Sequence, residues 1–202
     1  MQKFIRHKGK AVAIFQPNID TDQILPKQFL KRIDKAGFGN FLFYDWRFDE
    51  NGNPNPEFIL NWERYKEASI LLTGKNFGSG SSREHAPWAL FDYGFRVVVA
   101  PSFGEIFYNN SFNVGLLLVT LDEQIIKNLV EKAETIEGYE LEVNLETKQI
   151  SDEFNFVASF EIDEFRREKL LKGLDDISFI MQFEREISEY EAKRPKWMPK
   201  IV

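Results

Sequence analysis

The chain has 202 residues and a mass of 23.7 kDa, which suits one domain with a single core and leaves little room for two. Hydrophobic residues make up 43% and charged residues 29% of the sequence, which excludes wholesale disorder. The 26 lysines and arginines stand against 32 aspartates and glutamates. The resulting net charge of -6 argues against nucleic acid or an anionic membrane as the main partner.

Apolar runs and cysteine usage narrow the class of protein further. No apolar run approaches the roughly 20 residues that span a bilayer. The basic amino terminus leads into only a short apolar stretch at residues 11–15, so we expect a cytoplasmic chain without a secretory signal. The sequence has no cysteine and two histidines, which excludes thiolate ligands and argues against a histidine-built metal site. We therefore predict that this chain itself binds no metal.

The first strand is predicted around Val12 and Ile14, and Pro17 ends it before a polar cluster at residues 18–23. Residues 27–58 are aromatic but rich in glycine, proline and asparagine. This composition predicts a short helix at 27–33, then an aromatic loop and an exposed turn. Long loops in compact domains are usually functional or mobile, so we expect about 27–58 to form a mobile loop.

Short apolar runs alternate with helical stretches from residue 68 onward. The predicted strands are 68–72, 96–100 and 116–121, and the predicted helices are 88–93, 102–110 and 122–133. Such alternation favours parallel pairing with right-handed crossovers and therefore an α/β fold. Beyond residue 138 the apolar period changes to two, which predicts a β-hairpin or meander.

The carboxyl-terminal part is predicted to be helical over about 163–193. Asp163 and Gly173 bracket one helix at 165–171, since aspartate caps helix amino termini and glycine ends helices. Asp175 or Asp176 opens a last amphipathic helix that runs to about residue 192.

A glycine and serine loop at residues 75–85 lies between a predicted buried strand and a helix. In doubly wound sheets this position forms the usual ligand crevice, because free helix N–H groups point outward there. Gly78 and Gly80 allow the main chain to approach a ligand closely. Arg83 adds a planar fork for a carboxylate or phosphate. The loop therefore favours an anionic ligand.

The same loop has a second interpretation. Ser81 and Glu84 have the spacing of a capping box, which explains both residues without chemistry. Pro87 would then remove a backbone donor from the second turn, so the alternative is a helix that begins near Ala86 with Pro87 in its first position. The loop matches neither the nucleotide P-loop nor the dinucleotide fingerprint.

Two other features carry similar alternatives. Asp20 and Asp22 would lie on the same side of an extended chain. Taken alone, they are typical of a turn, and a functional role gains weight only if the glycine loop lies beside them. His85, next to a charged helix start, is interpreted as a hydrogen-bonded structural residue. The aromatic residues of 38–48 are interpreted as core or subunit interface, given the acidic balance of the chain.

Five segments together resemble one family. They are residues 18–26 (NIDTDQILP), 37–39 (GFG), 45–48 (DWRF), 76–90 (NFGSGSSREHAPWAL) and 100–103 (APSF). They resemble the small subunits of bacterial 3-isopropylmalate dehydratase, and the similarity runs essentially from end to end. The run from Gly80 to His85 is specific for the aconitase-like swivelling domain.

The resemblance implies a single swivelling β/β/α domain over residues 1–202. It implies a hydro-lyase of leucine biosynthesis that interconverts 2-isopropylmalate and 3-isopropylmalate through 2-isopropylmaleate. In the family, a large subunit carries a four-iron four-sulfur cluster with one open iron, which acts as a Lewis acid. This chain would supply the base to the cluster of its partner, and the absence of cysteine fits that division.

The resemblance also assigns site residues. Ser81 matches the catalytic base, which must be stabilised as an alkoxide by N–H groups and cationic neighbours. Ser82 would hydrogen-bond a substrate carboxylate and Arg83 would hold it in a bidentate contact. Asp22, with Thr21 beside it, matches a pair that orients donors near the serine.

Substrate choice stays open at this stage. Many family members have cysteine where this chain has Ser79, a position that does not ligate the cluster. Residues 30–38 are expected to face the isopropyl group, or Arg32 meets a second carboxylate there. The alternatives are a sister hydro-lyase acting on methylmalate, citraconate or a homologue, and a non-catalytic module that binds a dicarboxylate.

Overall fold

The computed structural model describes residues 1–31, 37–80 and 84–195. Within these residues a seven-stranded mixed sheet has the order β4-β3-β2-β1-β5-β6-β7. The strands are β1 (Arg6–Ile14), β2 (Ile70–Thr73), β3 (Val97–Ala100), β4 (Leu117–Thr120), β5 (Glu140–Asn144), β6 (Gln149–Ser151) and β7 (Val157–Ser159). The predicted α/β class is confirmed.

The first four strands form a parallel half-sheet. All residues of β2 and β3 are buried, which explains why their sequences are continuous apolar runs rather than alternating ones. Parallel strands end at the same edge of a sheet, so the loops that follow β1, β2 and β3 meet there.

β1 belongs to both halves of the sheet. Its residues 6–10 pair antiparallel with β5, and its residues 11–14 pair parallel with β2. Burial changes at the same point, because the first half is partly exposed and the second half is fully buried. β5 alternates between buried and half-buried residues, as the period of two predicts for a sheet with one face in the core.

Helices connect the strands and close the chain. They are α1 (Thr21–Ile24), α2 (Tyr44–Arg47), α3 (His85–Tyr93), α4 (Glu105–Val114), α5 (Glu123–Thr135), α6 (Glu164–Lys172), α7 (Asp176–Ile180) and α8 (Glu184–Lys193). Asp122, Asp163 and Asp175 each accept a backbone N–H at a helix start, which confirms the predicted caps. The predicted last helix is divided, because a 3-10 turn at Met181–Phe183 separates α7 from α8.

The long connection between β1 and β2 contains short 3-10 helices, among them Lys27–Lys31, where a helix over 27–33 was predicted. Phe38 and Phe43 are buried, so the core interpretation is confirmed for these two rings. Arg47 donates to the carbonyl oxygens of Gly39 and Leu42, both at 3.3 Å, and its burial lowers the pKa of the guanidinium. The mobility expected for 27–58 stays a prediction.

A buried carboxylate joins the antiparallel strands to α5. The Asp152 side chain is fully buried and accepts hydrogen bonds from Lys132 Nζ and the Tyr139 hydroxyl, both at 2.6 Å. Backbone N–H groups of Phe154 and Phe156 donate to its second oxygen. Burial opposes ionisation, but these donors outweigh it and hold the pKa of Asp152 below its ordinary value. The same burial raises the pKa of Tyr139.

Candidate active site

The loops after β1 and β2 are joined by main-chain hydrogen bonds. Gly78 N donates to Ile19 O at 2.7 Å, and Thr21 N donates to Ser79 O at 2.9 Å. These bonds form a short parallel bridge between residues 20 and 79. The polar cluster that begins at residue 18 and the glycine loop are therefore one structure, although the sequence separates them by more than fifty residues.

The loop after β3 joins the other side of the glycine loop. Phe77 N donates to Ser102 O at 3.1 Å, and Gly104 N donates to Phe77 O at 2.8 Å. This pairing delays α4, which begins at Glu105 rather than at the predicted residue 102. The glycine loop thus lies between the two neighbouring loops and is held on both sides through its backbone.

Close packing explains Gly78 in this loop and Gly104 in the loop after β3. Gly78 has a left-handed φ of 72°, and a Cβ there would lie 2.2 Å from Cγ of Phe107 on α4. A Cβ on Gly104 would lie 2.5 Å from Gly78 O. A side chain at residue 78 is thus excluded by both backbone conformation and space.

A pair of asparagines, Asn18 and Asn76, ties the loops at their exposed edge. Both have left-handed backbones, with φ of 58° and 59°. Asn76 Nδ2 donates to Asn18 Oδ1 at 2.9 Å, while Asn18 N donates to Lys75 O at 2.8 Å. Asn76 N also donates to Ser102 Oγ at 2.9 Å. The sequence analysis missed this pair. Its signal was the tolerance of asparagine for left-handed backbone.

The two aspartates of the polar cluster have different environments. Asp20 caps α1 in a reciprocal capping box, because Gln23 N donates to its Oδ1 and its own N–H donates to Gln23 Oε1, both at 2.8 Å. Helix capping thus explains Asp20 without chemistry, although the glycine loop also lies beside it through the bridge to residue 79. The Asp22 side chain is 38% exposed and lies 3.5 Å from Lys27 Nζ.

Thr21 lies beside the end of the glycine loop. It is buried, and a Cβ on Gly80 would lie 3.5 Å from its Oγ1. Gly80 immediately precedes Ser81 in the chain. The structure therefore brings the Thr21 hydroxyl to the residue next to the predicted base.

Helix α3 begins on the other side of the predicted serine and arginine run. Its first residue is His85, and Glu84 precedes it without a side-chain capping bond. The capping box of Ser81 and Glu84 is therefore wrong, since Glu84 is not three residues inside a helix. Pro87 occupies the third helical position, where no intrahelical partner for an N–H exists. The helix start predicted near Ala86 is confirmed, whereas the first helical position predicted for Pro87 is wrong.

His85 is held among aromatic rings. Its ring lies edge-on to Phe38 at 5.3 Å between centroids and 4.8 Å from Trp88. Phe38 is in turn fixed beside Gly39, whose N–H donates to Asp92 Oδ2 at 2.8 Å. These contacts favour the structural interpretation of His85.

Several predicted site residues lie outside the described residues, namely Ser81, Ser82, Arg83 and Arg32. In the described ranges, no group of three or more histidine, aspartate or glutamate side chains is placed to hold a metal ion. No helix of the part that the structure describes has the length and apolar character needed to cross a membrane.

Residues 1–124 match the family model described as Aconitase C-terminal domain, and residues 127–164 match a second, described as LeuD_N. Fold and glycine loop thus define an aconitase-type swivelling domain. The small subunit of 3-isopropylmalate dehydratase from Geobacillus kaustophilus is 52% identical over 193 residues, 96% of this chain and 98% of the relative. The corresponding small subunit from Rhodopirellula baltica is 53% identical over 195 residues, 96% and 100% of the two chains. The chain belongs to the 3-isopropylmalate dehydratase small-subunit family.

A solved structure supports the same assignment. The 3-isopropylmalate dehydratase structure from Methanocaldococcus jannaschii superposes with a TM-score of 0.66 at 25% identity. The match covers 92% of this chain and 99% of that one. The resemblance found in the sequence motifs is confirmed at the level of family and fold.

Proposed function

We propose that this chain is the base-supplying small subunit of a 3-isopropylmalate dehydratase, a hydro-lyase of leucine biosynthesis that works with a large subunit. The reaction interconverts 2-isopropylmalate and 3-isopropylmalate through 2-isopropylmaleate. One observation carries the assignment of the site: the three loops at the carboxyl edge of the parallel strands are joined, with Thr21 beside Gly80. We also propose that the protein is cytoplasmic and that residues 1–202 form one swivelling domain.

Ser81 is assigned as the base. During dehydration its alkoxide takes the proton from the substrate carbon next to a carboxylate, and the electron pair of that C–H bond forms the double bond. The hydroxyl on the neighbouring carbon leaves with the electron pair of its C–O bond and takes up a proton from solvent, so that it departs as water. Rehydration in the other orientation returns the proton from Ser81 to the carbon that carried the hydroxyl. Such an alkoxide needs donors fixed in advance, and glycine residues let main-chain N–H groups approach it without the bulk of side chains.

Ser82 and Arg83 are assigned to the substrate carboxylate. Arginine suits this role because its planar fork makes two parallel hydrogen bonds to one carboxylate. Thr21 and Asp22 are assigned to orient donors around the serine. The burial of Thr21 beside Gly80 supports its part in this assignment. Asp22 is supported by its place in the same short helix, one residue further on.

The iron-sulfur cluster is assigned to the large subunit. A four-iron four-sulfur cluster needs thiolate ligands, and this sequence has no cysteine. When bound, the cluster would supply Lewis-acid assistance to the leaving hydroxyl. The residues of this chain do not fit a resident cluster. The part of this chain in the reaction is therefore to hold the substrate carboxylate and to move the proton.

Reconstitution with the large subunit tests the proposal. The purified chain alone should be inactive, and mixing it anaerobically with the cluster-loaded large subunit should give hydration of 2-isopropylmaleate. Ser81→Ala should lower turnover by about 10²- to 10⁴-fold if the serine is the base. Ser79→Ala is the matched control, because the bond from Thr21 uses only the backbone carbonyl of Ser79. Full activity of Ser81→Ala would show that another group takes the proton.

A further inference from the structure

The carboxyl-terminal helices expose a row of large apolar side chains. Ile177 is 75% exposed and Tyr190 is 65% exposed, and four large apolar side chains between them are also exposed, of which Met181 falls outside the helical spacing. The row, called here the apolar seam, consists of Ile177, Ile180, Phe183, Ile187 and Tyr190. The successive spacings of three, three, four and three residues run through α7, the 3-10 turn and α8, and resemble the pattern of a helical segment that anchors one face in a groove.

The exposure of α8 shows that the seam needs a cover. Every residue of Glu184–Lys193 is exposed, although the segment is a regular helix. A helix of ten residues is marginal in water without packing, because nucleation is costly. A contiguous exposed apolar row is typical of an interaction surface. Within the described residues, α8 is therefore a formed helix whose apolar side is not covered.

The segment is anchored to the rest of the domain at its start. The ring of Phe179 on α7 packs edge-on against Phe165 on α6 at 4.6 Å between centroids. Helix α6 is itself attached to the amino terminus, since Phe4 N donates to Leu170 O and Met1 N to Gly173 O, both at 2.9 Å. This attachment precedes β1, whereas the candidate site follows β1. The seam residues lie on α7, on α8 and on the 3-10 turn between them, outside the loops that form the candidate site.

The charges beside the seam indicate which kind of surface can cover it. Helix α8 carries four glutamates against Arg185 and Lys193. Two copies of this helix face to face would bring acidic rims together, which is unfavourable. A groove with an apolar floor and basic rims is the complementary surface.

We propose that the apolar seam docks in an apolar groove with basic rims on the large subunit. The choice of the large subunit as owner of the groove rests on the proposed function, because that function requires a second chain. The docking lets the carboxyl-terminal helices hold the two subunits together while the glycine loop faces the partner's cluster.

Binding of the purified large subunit to the intact chain tests the docking. The double variant Ile187→Ser/Tyr190→Ser should raise the dissociation constant by at least about 10-fold, since buried apolar anchors dominate interface energies. The control Arg185→Ser/Glu189→Ser removes an exposed ion pair of 3.0 Å from the same helix without shortening the seam. It should bind within about threefold of the unmodified chain. Raising the salt concentration should weaken binding of the unmodified chain.

Three results would overturn the docking. The first is unchanged binding of the seam variant to the large subunit, and the second is an equal loss of affinity in the seam and control variants. The third is a wild-type chain that self-associates in sedimentation while the seam variant stays monomeric. A second seam variant, Ile177→Ser/Ile180→Ser, repeats the measurement if the first unfolds. Hydration of 2-isopropylmaleate is measured separately at saturating large subunit, where the seam variant should regain wild-type turnover. Absence of hydration by the wild-type complex refutes the proposed function, whereas normal binding by the seam variant refutes only the docking.

Discussion

Replacing Gly78 by alanine tests how the glycine loop is packed against α4. A Cβ on Gly78 would lie 2.2 Å from Cγ and 2.5 Å from Cδ1 of Phe107. The ring has little room to move, because it is buried and lies edge-on to Phe77 at 5.3 Å. The left-handed backbone costs an alanine about 1–2 kcal/mol, and forcing a buried ring aside costs about 1–3 kcal/mol more.

We therefore expect Gly78→Ala to lower the free energy of unfolding by about 2–5 kcal/mol. In a chain of this size each kcal/mol shifts the Tm by about 2–4 °C, so the Tm should fall by about 4–20 °C. Gly138→Ala is the matched control. Gly138 has a φ of 69° but no described atom within 4 Å of its Cβ position, so only the backbone cost applies.

Thermal unfolding followed by far-ultraviolet circular dichroism measures both variants. The control should lose only about 2–8 °C. The difference between the two variants is the steric cost at Phe107, because the change in unfolded-chain entropy is the same for both. Equal melting temperatures would show that the loop does not pack on Phe107 as described, and the reasoning would be wrong.

Two further predictions concern the asparagine pair and the buried carboxylate. Asn76→Gly keeps the left-handed backbone and loses only the bond to Asn18, so its unfolding free energy should fall by less than about 1.5 kcal/mol. The unfolding free energy of Asn76→Ala should fall by about 1–2 kcal/mol more than that of Asn76→Gly. Equal losses for the two variants in urea unfolding would contradict this account. The folded pKa of Asp152 lies below its ordinary value, so its stabilisation is present above about pH 4 and is lost as the pH falls through the folded pKa. Asp152→Asn should therefore flatten the loss of stability in urea unfolding between about pH 5 and 2, and an unchanged slope would refute the role of Lys132 and Tyr139 as its donors.

Local chemistry made much of the fold predictable. Apolar runs predicted the parallel strands, because a strand buried on both faces needs no polar residues. Asp122, Asp163 and Asp175 predicted helix starts, since an aspartate oxygen accepts the free N–H groups of a first turn. The motifs of the glycine loop predicted the family, and the comparisons confirm it.

Features that depend on distant partners were not predictable in the same way. The delayed start of α4 depends on the pairing of Ser102 with Phe77 across two loops. The bridge between Asn18 and Asn76 joins residues far apart in the chain, and neither residue is unusual in its local sequence. The division between α7 and α8 has no glycine or proline to mark it.

The double membership of β1 links the halves of the sheet mechanically. Its residues 6–10 complete one hydrogen-bonded ladder and its residues 11–14 complete the other. If either half melts, the corresponding residues of β1 are left with unpaired N–H and C=O groups, so the loss of one half weakens the strand that holds the other. We therefore expect the antiparallel hairpin to contribute to the stability of the parallel strands and of the loops that follow them.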